Sequence, residues 1–179
     1  SATVLYASWG RGGGTGGWGS SSNKVYTSDG LVNYDAIKQN NEAIVGGVGT
    51  FGNGAYATRS SVNNHQWYGL VSNLTHELSD NFTFNLGLDA RTYTGTHYRR
   101  MSNFLGLTGW HVDNNVQHPG GYDVTKVYSP HPWRSTFDSV DYTQRMDYDY
   151  DARISYGGLF GQVEYVENNF SAFVQGAIS

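Results

Sequence analysis

The chain contains no cysteine, which removes disulfides, thiolate nucleophiles and cysteine-ligated zinc. Charge is sparse too. Eleven Lys+Arg stand against fifteen Asp+Glu, for a net charge of −4, and no basic run is present to track a phosphate backbone. Nucleic acid is therefore not an expected partner. No stretch of about 18 apolar residues occurs, so the sequence holds no transmembrane helix. That absence leaves barrel strands untouched, because their hydropathy signal is much weaker. The motifs H-E-x-x-H and G-x-S-x-G are missing, and the six histidines are scattered. No enzyme activity and no cofactor are expected.

What the chain does have is 24 glycines, 14 tyrosines and many Asn, Ser and Thr residues. That mixture suits β-structure, surface loops and polar barrel interiors. The clearest pattern runs over residues 82–91. Phe82, Phe84, Leu86, Leu88 and Ala90 share one face, and Thr83, Asn85, Gly87, Asp89 and Arg91 share the other. The run from Phe82 to Ala90 spans about 26 Å of strand, or about 20 Å of height at a barrel tilt. Strands of soluble domains usually stop after about 5–6 residues.

The same reading predicts strands near 2–9, 66–78, 82–98, 154–166 and 170–179. Turns at 79–81 and 167–169 are short, whereas the connections over 10–65 and 99–153 are long. Alternation of very short and very long connections separates periplasmic turns from extracellular loops in outer-membrane barrels. Within the long connections, the glycine tract 10–19 reads as irregular, since glycine loses the most backbone entropy on ordering. It lacks the Walker pattern G-x-x-x-x-G-K-S/T, so a nucleotide loop is not inferred. Residues 33–43 read as a short helix capped by Asn33. Pro119, Pro130 and Pro132 mark 99–147 as loop.

The stretches LYASWGRGGGTGGWGSSSN, RSSVNNHQWYGLVSNLTHELSDNFTFNLGLDARTYTGTHYRR and YDYDARISYGGLFGQVEYVENNFSAFVQGAIS resemble TonB-dependent outer-membrane receptors of Bacteroidota bacteria. The resemblance covers about half of the chain. It implies an all-β, transmembrane antiparallel barrel of about 22 strands, plugged by an N-terminal domain and energised from the inner membrane. Residues 1–179 would form about five of those strands, with the plug domain and both natural termini absent. The implied setting is the outer membrane of a Gram-negative bacterium. Implied partners are outer-membrane lipid, the rest of the barrel and its plug, and the TonB complex reached through that plug. A surface lipoprotein or a larger outer-membrane complex extends the set. The implied function is uptake of a surface-bound nutrient such as a carbohydrate, peptide or siderophore. The alternative is a soluble or surface-attached β-rich module that binds carbohydrate.

Ligand-facing residues are expected from the long loops and the polar strand face, and Trp110, His111, Trp133, Arg91 and Tyr93 are the candidates. Asp147, Asp149 and Asp151 fall on one face of a strand at successive positions. Their mutual repulsion calls for a cation such as calcium, a cross-strand basic residue, or hydration. Arg99 and Arg100 are the expected basic partners, ahead of calcium.

Overall fold

A computed structural model describes residues 1–128, 131, 133 and 140–179. The chain is mostly β-strand, arranged as one five-stranded and one three-stranded sheet. The long strands are β1 (Ala2–Gly19), β3 (Tyr56–Glu77), β4 (Phe82–Asn103), β7 (Met146–Glu167) and β8 (Phe170–Ile178), in the spatial order β1-β3-β4-β7-β8. The short strands β2 (Val48–Gly49), β5 (Gly109–Val112) and β6 (Tyr122–Val124) form the second sheet. The helix α1 covers Tyr34–Glu42.

The five expected strands are all present and are neighbours in the expected order, with β1 and β8 at the sheet edges. Four of them are longer than expected: β3, β4 and β7 at 22 residues each and β1 at 18. The expected loops 10–65 and 99–153 are correspondingly shorter. The glycine tract is the main correction. Residues 10–19 continue β1 as regular strand, because β3 supplies the hydrogen-bonding partner that glycine lacks the propensity to find alone. Here absent side chains are the advantage. A Cβ on Gly13 would stand 2.5 Å from the Ser61 carbonyl oxygen, and a Cβ on Gly17 would meet the ring of Tyr56.

The residues divide into two compact units. The first, the sheet unit, comprises Ser1–Gly10, His65–Gly95 and Ala152–Ser179. Its strands are joined by tight turns. Leu78 N–H donates to the Phe82 carbonyl at 2.8 Å, and Asn168 adopts a φ of 49° that asparagine tolerates. Contacts fix which side chains share a face. On one side Phe82 packs on Tyr165, His76 on Phe84, and Trp9 on Tyr68. On the other, Thr75 donates to Asn85, Arg91 pairs with Asp89, and the Phe160 ring lies over Gly87. The expected alternation over residues 82–91 therefore holds. β7 and β8 keep it in register, with Val163 opposite Val174 and Gln162 opposite Gln175.

The second, the core unit, comprises Arg11–Asn64 and Thr96–Asp151. It has a conventional interior. Trp18, Ala55, Ala57, Met101, Trp110, Val124 and Met146 form one buried cluster, and Val62, Tyr98 and Val140 form another. The helix α1 begins where its cap predicts, with Asn33 Oδ1 accepting from the Ala36 N–H at 3.0 Å. It buries Ile37 and Asn41, one helical turn apart. Pro119 lies in irregular chain, and Pro130 and Pro132 lie outside the described residues.

Candidate ligand-binding surfaces

In the sheet unit, Arg91 and Tyr93 lie two positions apart on β4 and share its polar face. Arg91 Nη2 donates to Asp89 Oδ2 at 2.7 Å, and its guanidinium lies 4.8 Å over the Tyr156 ring. The second Asp89 oxygen, Oδ1, is buried without a hydrogen-bond partner. Tyr93 shares a hydrogen bond with His65 Nδ1 and packs at 4.5 Å on Trp67. Farther along the same face, Asn73, Asn85, Gln162 and Gln175 surround Phe160 in a shallow cleft of about 520 Å³. This face offers aromatic rings, amides and one ion pair, and no cluster of like charge.

The core unit separates the remaining candidates. Trp110 is wholly buried, with its ring 5.5 Å from Phe51 and 6.2 Å from Trp18. It therefore packs the interior and presents no ring to a ligand. Its neighbour His111 points the opposite way, as strand alternation requires. There it meets Asp123 directly across the ladder, Nδ1 to Oδ1 at 2.7 Å. Trp133 is 76% exposed.

No family model, curated protein or solved structure matches the chain.

Arginine takes up two of the three aspartates of the ladder, and Asp151 is exposed and left to hydration. Arg99 reaches Asp147 directly, and its guanidinium lies 5.0 Å over Tyr148. Arg100 turns away and lies over the Tyr128 ring at 5.2 Å. Asp149 is taken by Arg145, Nη1 to Oδ1 at 2.7 Å. Among the described residues, no group of three or more carboxylate or imidazole side chains converges as a metal would require. Asp147 itself has a φ of 63°, which breaks the regular pleat at the start of β7. Such non-glycine conformations are held only where the surroundings over-determine them.

Around this ladder lies a cleft of about 280 Å³, lined by Asn114, Asn115, Gln117, Tyr142, Arg145, Asp147 and Asp149 among others. Asp141 secures its rim by accepting from the Thr143 N–H at 3.0 Å. That backbone bond, with a second from the Thr143 hydroxyl, holds the Asp141 carboxyl below its ordinary value. Sequence reasoning missed Asn114, Asn115, Gln117, Tyr142 and Arg145. The available signal was the amide run over 114–117, which lies within a long polar connection otherwise read as undifferentiated.

Proposed function

We propose that this chain is part of the barrel wall of a TonB-dependent outer-membrane receptor that imports a nutrient captured at the cell surface. The observation that carries the reading is the two-faced sheet unit. Its apolar side, including Tyr68, Leu74, Phe82, Leu86, Leu159 and Val163, is substantially exposed, while its other side is polar and aromatic. Soluble monomers rarely expose a contiguous apolar patch of more than a few hundred Å². Lipid is the natural cover for such a face, and a polar lumen the natural setting for the other.

Strand length supports the same reading. Residues 82–95 of β4 alone provide about 45 Å of strand, about 32 Å of height at a tilt of about 45°. That is enough to cross an apolar band about 25 Å tall. The unpaired edges β1 and β8 cannot face hydrocarbon, so further strands must close the barrel, and the resemblance implies about 22 in all. Plug, TonB coupling and any surface lipoprotein follow from the resemblance. The long connections supply the surface loops, and transport involves no covalent chemistry.

Fractionation tests this directly. The product of the complete gene should remain with outer membranes after a carbonate wash and dissolve only in detergent. Recovery as a monomer in detergent-free buffer would instead favour the soluble carbohydrate-binding module.

A further inference from the structure

We infer that the cleft beside the aspartate ladder in the core unit is a binding site for a neutral, hydroxyl-rich ligand, namely one or two rings of an uncharged oligosaccharide. The inference names the ligand class of the receptor proposed above. It rests on that reading for import, though not for binding.

The cleft is balanced in charge. Two carboxylates line the cleft, and each is already paired: Asp147 with Arg99, Asp149 with Arg145. Arg145 is held further by donating from Nε to the Val140 carbonyl at 3.1 Å and by lying 4.4 Å over the Tyr98 ring. An added cation would have to displace a fixed guanidinium. An added anion would meet two carboxylates. Neither charge sign is favoured, so the site selects a neutral molecule.

The hydrogen-bonding groups then choose among neutral molecules. The side-chain amides of Asn114 and Gln117 and the Tyr142 hydroxyl make no hydrogen bond to any described residue, although all three line the cleft. An amide both donates and accepts, and a free carboxylate oxygen only accepts. Vicinal hydroxyls, each a donor and an acceptor, match this set. β8 pairs with β7 only from Leu159 onward, so the edge of β7 beside the cleft is open and a peptide is the competing ligand in the test.

An aromatic platform completes the site. Tyr142 is 59% exposed and stacks at 5.6 Å and 19° on His118, which fixes the ring plane. His118 in turn packs on Tyr122 at 5.2 Å, whose hydroxyl donates to the Arg145 carbonyl. A flat ring with a polar edge presents the apolar surface that the C–H face of a sugar ring needs. The volume, about 280 Å³, lies just below the range of ligand pockets, about 300–1,000 Å³, which limits the contact to one or two rings.

The test uses the complete protein in detergent. It is applied to an array of neutral hexose and pentose oligosaccharides, their uronic-acid counterparts, and the uncharged peptide N-acetyl-tetraglycine amide, with and without calcium chloride. Calcium-independent binding to at least one neutral oligosaccharide is expected. Tyr142→Ala should weaken it at least about tenfold, Tyr142→Phe should retain most of it, and Gln117→Ala should weaken it about threefold or more. Gln117 is exposed in a loop, so that variant keeps its fold. Binding confined to uronic acids or to the peptide, dependence on calcium, no binding above background, or Tyr142→Ala and Gln117→Ala variants equal to the parent would each overturn the inference. Neutral-sugar binding by protein recovered without detergent would support the site while removing the membrane reading.

Discussion

Asn41 grips the backbone of Tyr56 from both sides. Its Oδ1 accepts from the Tyr56 N–H at 3.1 Å, and its Nδ2 donates to the Tyr56 carbonyl at 2.8 Å. The same amide donates to the Leu105 carbonyl, also at 2.8 Å. One buried side chain thus ties α1 to the first residue of β3 and to the chain just after β4. Asn41→Ala would leave these backbone groups buried and unpaired, at about 1–3 kcal/mol each. Limited proteolysis should then cut the variant within 43–55 or 104–108, where the parent resists. Parent-like resistance would show that water or local relaxation replaces the amide.

Phe160 covers Gly87 on the polar face of the sheet unit, and any side chain at 87 meets that ring. Gly87→Val is expected to destabilise by about 1–3 kcal/mol, the usual penalty for overpacking. Phe160→Ala in the same molecule should recover most of the loss. Denaturant unfolding of the four members of the cycle in detergent gives the answer, and additive losses would count against the contact.

The proposed lipid face makes a sided prediction. Leu86→Arg should cost about 2–4 kcal/mol in a bilayer if the residue lies near the midplane, whereas Asn85→Arg on the adjacent position should cost little. Unfolding from lipid vesicles measures both. Equal costs would reject the assignment of faces.

Asp141 supplies a pH dependence whose sign follows from its lowered pKa. A depressed carboxyl contributes stability that is present above its ordinary value and lost as pH falls through the folded value. The Thr143 amide should therefore exchange faster with solvent as pH is lowered through the acid range, relative to its intrinsic rate. Asp141→Asn should flatten the response. A parent and variant with the same profile would remove Asp141 as the cause.

The parts of the fold legible in the sequence were those set by local rules. The alternation from Phe82 to Arg91 fixed two faces, and Asn33 marked the start of α1. Arg99 was found because strand register brings it level with Asp147. Arg145 was missed because it precedes β7 and reaches Asp149 from outside the ladder. The glycine tract and Trp110 failed for one shared reason. Their states depend on residues remote in the chain, Ser61 and Tyr56 for the glycines, Phe51 and Trp18 for the indole, and no local pattern reports such a partner.

The rings laid over glycines have a consequence for assembly. Sliding a strand by one residue would exchange its two faces and is strongly opposed. A slide by two residues preserves the faces, so hydrophobic alternation alone permits it. Tyr6 over Gly69 and Phe160 over Gly87 remove that freedom in the sheet unit, and Tyr56 over Gly17 restricts it in the core unit. After a two-step slip, the Tyr6 ring would strike Trp67 or Val71 and the Phe160 ring Asn85 or Asp89, while Tyr56 would be stopped by Thr15 in one direction only, since Gly19 lies in the other. The glycines thereby act as a vernier scale, on which the long and otherwise repetitive strands of the sheet unit have one matching position.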